Sequence, residues 1–303
     1  MGAFLLLALT ACGAPAPAAT ASMEEIVRKL APHRAVYDLK LGNVAGKSDV
    51  RGAQGKIVME WGDACDGWTS QQNFAVDLLN VNDSTVAMTT SQTSWEAKDG
   101  SRFRFQIRRQ LNGKDQEEYR GHAVQRGLAG GQAHFDLPKA KKAVLPTGTV
   151  FPTQHVLKLL QMAMDHENFA TFTVFDGDGE EGYSDISAFI LSRVDKIAPI
   201  KAPDSQPIPL ADHRDGDGNK EEQNQDAQVD ADLLNAPGWN VHLAFFSDNN
   251  NDLKPNQESD IVLLENGVMR EATINYGDFT ITATLRSINR LPPSLCTGEQ
   301  AQK

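Results

Sequence analysis

The chain has 303 residues, 40% of them hydrophobic and 23% charged, with a formal net charge of −11 and a pI near 5.1. That balance is enough to bury a core, so most of the chain is expected to be ordered. It excludes a protein held to nucleic acid or to anionic head groups by its net charge, and no nucleic-acid partner is expected.

Ala3-Phe4-Leu5-Leu6-Leu7-Ala8-Leu9 is a short apolar run, followed by a Pro/Ala-rich stretch over 13–21. It is too short to span a bilayer and has the length of a signal-peptide core. No Lys or Arg precedes Arg28, so the usual basic start is missing, which a start site placed too late would explain. Leu9-Thr10-Ala11-Cys12 reads as a lipobox, in which Cys12 is diacylated and becomes the new N-terminus. The other reading is an ordinary cleaved signal ending at Ala19-Thr20-Ala21. Residues 1–21 are therefore assigned to a signal or lipoprotein signal plus tether, and 22–296 to one domain with a short tail over 297–303. No later stretch is apolar enough to cross a membrane.

Three cysteines are present, Cys12, Cys65 and Cys296. Removal or lipidation of Cys12 leaves an even pair. In an oxidising compartment such a pair becomes a disulfide, and two free buried thiols are the alternative.

Ser22 to Glu25 fits a capping box, with Ile26, Val27 and Leu30 at helical spacing, and Pro32 stops this short helix. Alternating residues then predict strands over 35–41, 55–61, 66–79, 84–95, 102–109, 117–125 and 132–137. The clearest is 102–108, where Phe103, Phe105 and Ile107 share one face and Arg and Gln the other. A helix over 154–165 follows, with Thr153 as its N-cap. Its apolar stripe is Val156, Leu157, Leu160, Ala163 and Met164. That stripe should pack on the concave face of the sheet. Strands resume over 169–175, 183–191, 239–246, 260–265, 268–276 and 279–288, with turns at Asn266-Gly267 and Gly277-Asp278. Residues 201–236, rich in Pro, Asp, Asn, Gln and Glu, read as a long mobile insertion. The expected fold is mainly β: a many-stranded antiparallel meander curled into an open barrel, with one long amphipathic helix and a short N-terminal one.

No catalytic constellation is visible: no G-x-S-x-G, no C-x-x-C, no H-E-x-x-H and no phosphate-binding glycine loop. The seven histidines lack metal-ligand spacing. Three acidic clusters, at 176–181, 215–219 and 248–252, alternate oxygen ligands as a hard cation requires. The nearest to a calcium loop has Asp215, Asp217 and Asn219 at the first, third and fifth positions, but Lys220 stands where the glycine belongs. Ordinary turns use the same residues, so no metal and no cofactor is assigned. Trp68 lies close to Cys65 in sequence and is expected to pack on a disulfide there.

Cys65-Asp66-Gly67-Trp68, Thr93 to Gly100 followed by Phe103-Arg104-Phe105, and Leu145 to His155 leading into the helix resemble the EipB family of alphaproteobacterial cell envelope integrity proteins. Val174-Phe175-Asp176-Gly177, Asn275 to Thr280, Leu291-Pro292 and Cys296 continue the likeness in the same order. The resemblance implies a periplasmic β-spiral, similar in shape to the lipoprotein carriers of outer-membrane sorting, closed by a Cys65–Cys296 disulfide. It implies a role in envelope integrity under stress, connected with a periplasmic tetratricopeptide-repeat protein, and no enzymatic activity. Three functions compete: a scaffold or adaptor acting through protein contacts, a module binding lipid or a lipoprotein acyl chain in the open barrel, and, last for want of any catalytic constellation, a hydrolase. The location is expected to be the periplasm, with a tether to the outer membrane if Cys12 is lipidated.

Overall fold

The computed structural model describes residues 22–179, 182–195, 228–246, 254–292, 294 and 296. Helix α1 (Met23–Lys29) begins at the expected capping box. The Ser22 hydroxyl accepts from the Glu25 N–H, and the Glu25 carboxylate accepts from the Ser22 N–H. Acidic residues in its first turn and basic ones in its last suit the helix dipole.

Eight strands follow as a meander: β1 (His33–Val44), β2 (Val50–Asp63), β3 (Gly67–Asn80), β4 (Thr85–Ala97), β5 (Arg102–Leu111), β6 (Lys114–Gln125), β7 (Gly131–Leu137) and β8 (Lys141–Leu145). Helix α2 (Pro152–Met164) interrupts them. Then come β9 (Phe169–Phe175), β10 (Tyr183–Val194), a single turn of helix α3 (Ala231–Leu234), β11 (Gly238–Phe246), β12 (Gln257–Leu264), β13 (Met269–Asn275) and β14 (Phe279–Arg290). All fourteen strands form one antiparallel sheet, ordered β8 to β1, then β14 to β9. The β1–β14 ladder joins the two meanders, from His33 opposite Arg290 to Val44 opposite Phe279. Both arms curl round, and the barrel is nearly closed, with one unsealed seam between β8 and β9.

Two elements escape the sequence pattern. Strand β8 has Lys141 and Lys142 at its start and lies at the sheet edge, so it carries little apolar signal. Within the segment read as an insertion, residues 228–236 pack onto the barrel. Val229 bridges Ile288, the Asp230 side chain caps α3, and Leu233 is fully buried against β14 and the β12–β13 turn region. Averaging composition over 201–236 hid this short apolar piece; residues 196–227 lie outside the described residues.

The core has three parts. Tyr37, Leu39, Ile57, Val76, Ile281 and Leu285 fill the barrel around β1 and its neighbours. Helices α1 and α2 pack against the inner faces of β9–β12 through Ile26, Leu157, Leu160, Ile186, Val241 and Leu263. An aromatic cluster of Phe103, Phe105, Phe135, Phe151 and Phe175 closes the region of the seam.

Candidate functional site

Cross-strand register puts Trp68, Ser70, Gln72, Phe74 and Val76 of β3 on the inner face, opposite Glu96, Ser94, Gln92, Thr90 and Met88 of β4. The inner wall of β3–β4 is therefore polar along its middle. The wall of β9–β12 is apolar and is the one α2 covers. Leu157 and Leu160 are buried there, and Val156 and Met164 are half-buried against the same cluster. Leu159, Met162 and Ala163 are buried as well, so burial extends well round the helix beyond the single stripe. No residue of α2 is exposed. A helix enclosed in a barrel meets side chains on most of its circumference, which a surface-helix pattern does not anticipate.

Thr153 does not cap α2. Phe151 is the N-cap residue, Pro152 takes the first position, and no local side chain serves the free N–H groups. Glu96 of β4 serves them instead: its carboxylate accepts from the Thr153 N–H at 2.7 Å and from the Gln154 N–H at 2.9 Å. Glu96 is 2% exposed, and burial pushes its carboxyl up to about 7 against the lowering effect of those two bonds. Gln154 adds a bond from its side chain to the Lys98 carbonyl at 3.1 Å. Long-range pairing of a buried acid with a helix start leaves no mark in the local sequence.

The disulfide end lies beside this junction. Cys65 and Cys296 are bonded, with Cα atoms 5.6 Å apart across 231 residues of sequence. The Cys65 N–H donates to the Asp63 carboxylate, Lys98 pairs with Asp63 at 2.9 Å, and Ser294 donates to the Asp63 carbonyl. The bond thus ties the chain's C-terminal segment to the β2–β3 turn. Trp68 is covered by Trp61, stacked at 4.6 Å, and by the Lys98 ammonium at 4.7 Å.

Of the acidic clusters, Asp215, Asp217 and Asn219 lie outside the described residues, as do 248–252 and Cys12. In the first cluster Asp178 is engaged by Arg109 and Asp176 is half-buried, its carboxyl pushed up to about 6 chiefly by desolvation. Among the described residues no group of three acids, histidines or cysteines is placed to hold a metal. Gly177 has φ +83° and would put a Cβ 2.3 Å from the Phe105 ring. It lets this loop lie directly against the aromatic cluster.

The seam is sealed at one end. The Val150 N–H donates to the Thr173 carbonyl and the Phe175 N–H to the Val150 carbonyl, both at 2.9 Å. Beyond that bridge no backbone partner meets the edge of β9 among the described residues. The outer face beside it carries a row of register partners across β5–β8, the cations Arg104 and Lys142 flanking His122 and His134, whose imidazoles stack at 4.9 Å. Arg102 and Arg104 lie over Trp95 at 5.5 and 5.2 Å. Sequence reasoning missed this row, because residues one per strand meet only once the register is known.

A search of curated proteins finds a cell envelope integrity protein, EipB, of Brucella abortus (strain 2308). It is 29% identical over 272 residues, which cover 88% of this chain and 86% of that protein. Among solved structures, the crystal structure of a β-barrel-like protein of a domain of unknown function from Brucella abortus superposes with a TM-score of 0.70 at 25% identity, covering 87% of this chain and 99% of the other. The family model described as EipB-like matches residues 24–216 and 213–292, and with nearly the whole domain matched the chain belongs to the EipB-like family.

Proposed function

We propose that the protein supports cell envelope integrity as a non-enzymatic periplasmic scaffold, acting through protein contacts on the outside of its barrel. The observation that carries this reading is the placement of α2. The helix is enclosed against the apolar inner wall, and the wall it leaves uncovered presents Ser70, Gln72, Thr90, Gln92 and Ser94. A polar wall is a poor lining for an acyl chain, because each hydroxyl or amide it desolvates costs free energy without a new hydrogen bond. The Cys65–Cys296 disulfide supports an oxidising compartment, and the role in integrity follows the named Brucella relative.

A second reading, an acyl-chain binder, draws on the inward-facing Phe74, Leu78, Val86, Met88 and Leu111 at one mouth of the barrel, where Met88 is 40% exposed. Native mass spectrometry of the full chain isolated from its own envelope separates the two. The scaffold reading expects the polypeptide mass without retained lipid. A stoichiometric lipid adduct overturns it in favour of the binder. Loss of the protein is expected to sensitise the cell to detergent, and unchanged resistance would count against the envelope role itself.

A further inference from the structure

An antiparallel strand directs the N–H and C=O of alternate residues to opposite sides. In β9 the even residues turn toward β10: the Asn168 carbonyl accepts from Ile190 and the Asp176 N–H donates to Gly182. Thr173 and Phe175 turn the other way, to Val150. Phe169 and Thr171 therefore direct their backbone groups into the seam, where no backbone partner meets them among the described residues. The strand reads Phe-Ala-Thr-Phe-Thr-Val-Phe, without a charge or a proline. Edge strands of that composition are normally blunted or covered, because they template pairing with another chain. The opposite edge is blunted: β8 has five residues and carries Lys141 and Lys142.

Exposed apolar side chains gather on the β9 side of the opening: Phe169 is 56% exposed and Leu191 62%, with Phe189 tilted against Phe169 at 4.8 Å. On the β8 side the row Arg104, His122, His134 and Lys142 runs up to the same opening. Among the described residues Arg104 and Lys142 have no carboxylate partner, although the chain as a whole carries a net charge of −11.

We propose that the unsealed seam is a docking edge for an extended strand of a partner polypeptide, which pairs with β9 through Phe169 and Thr171 and carries acidic side chains on its outward positions. Three features specify this occupant. Backbone donors and acceptors that meet no backbone partner among the described residues call for another backbone, which a lipid does not supply. The other alternate side chains of such a strand face inward, beside Ala170 and Phe172 on the apolar inner face of β9. Arg104 and Lys142 on the outer face select carboxylates on the outward positions. The proposal rests on the scaffold reading and gives it a surface and a partner chemistry.

The test is amide hydrogen exchange of the full chain, alone and with short synthetic peptides that alternate valine with aspartate or valine with lysine. In the chain alone, the Phe169 and Thr171 amides should exchange much faster than those of Ala170 and Phe172, which pair with β10. The aspartate peptide should slow Phe169 and Thr171 at least tenfold, and the lysine peptide should not. Thr171→Pro removes the seam-facing N–H while leaving the β10 ladder intact, so it should keep its melting temperature and lose the protection. Lys142→Glu should narrow the difference between the peptides. If Phe169 and Thr171 are already protected in the chain alone, the seam is covered by the chain itself or by a second copy, and the proposal is wrong. It is equally wrong if neither peptide protects, if both protect alike, or if phosphatidylglycerol vesicles protect in their place. Any of these results leaves the mass-spectrometric test of the scaffold reading untouched.

Discussion

The carboxylate of Glu96 and the backbone N–H of Thr153, 57 residues apart in the chain, are joined at 2.7 Å and fasten the start of α2 to the inner wall of β4. The arrangement replaces a local helix cap with a tertiary one. It makes the position of α2 depend on an ionisable group that is almost wholly buried.

That dependence predicts a pH effect. The folded Glu96 carboxyl is pushed up to about 7 from 4.5, so the folded state holds its proton more tightly than the unfolded chain does. The associated stability is fully present below about pH 4.5 and is lost as pH rises through 7. Because a tenfold change in proton affinity is worth roughly 1.4 kcal/mol, the effect is on the order of 3 kcal/mol. Asp176 acts in the same direction, whereas His155, pushed down to about 4 by burial, acts oppositely. Comparison with Glu96→Gln isolates the one group. In urea titrations from pH 4.5 to 8, the variant should gain stability relative to the parent as pH rises. A difference that stays constant across this range would show that Glu96 is not the titrating group.

The disulfide predicts a second outcome. Closing a loop of 231 residues removes chain entropy from the unfolded state, which the entropic model puts at roughly 5 kcal/mol as an upper value. Cys65→Ser with Cys296→Ser should lower stability by about 2–5 kcal/mol and release the C-terminal segment from Asp63. Labelling with a thiol reagent under denaturing, non-reducing conditions checks the starting point: two reactive thiols at positions 65 and 296 of the parent chain would contradict the bond.

Fold class was legible because amphipathic strands announce themselves. Arg102 to Arg108 alternates so cleanly that Phe103, Phe105 and Ile107 are buried and the residues between them exposed, as the period of two requires. What the residues could not reveal is which strands meet. The β1–β14 ladder, the seam at β9 and the row from Arg104 to Lys142 all depend on register between elements far apart in sequence. The α2 cap failed for the same reason, since Thr153 is the better local candidate and Glu96 wins through the fold. Leu233 was lost in a polar background, where one buried leucine does not alter the composition.

Leu233 supplies a third prediction. It is fully buried, next to Leu264, Val268 and Ile288 in the core around β1, and Asn266 donates to its carbonyl at 2.7 Å. Leu233→Ala should cost about 2–5 kcal/mol, as other buried leucines do when a cavity is left. Removing residues 228–236 should do at least as much, because the Val229 bridge and the α3 turn are lost as well. Thermal denaturation of either variant measures this, and an unchanged midpoint would mean that the turn does not pack in solution.

The last prediction concerns the enclosure of α2. Leu160 is completely buried, in the cluster that also holds Leu157, Ile186, Val241 and Leu263. Leu160→Asp places a carboxylate among these side chains with no partner of opposite charge in that cluster. Such a group either ionises at a large desolvation cost or stays protonated and unsatisfied, and both routes cost several kcal/mol. Lys158, on the same helix, is only half-buried, and Lys158→Asp should be tolerated far better. The pair of variants distinguishes an enclosed helix from one lying on the surface: enclosure requires Leu160→Asp to unfold the domain or lower its midpoint steeply while Lys158→Asp stays folded. If both melt like the parent, the Leu160 side of α2 must face water, and the polar wall of β3–β4 would no longer be the uncovered one.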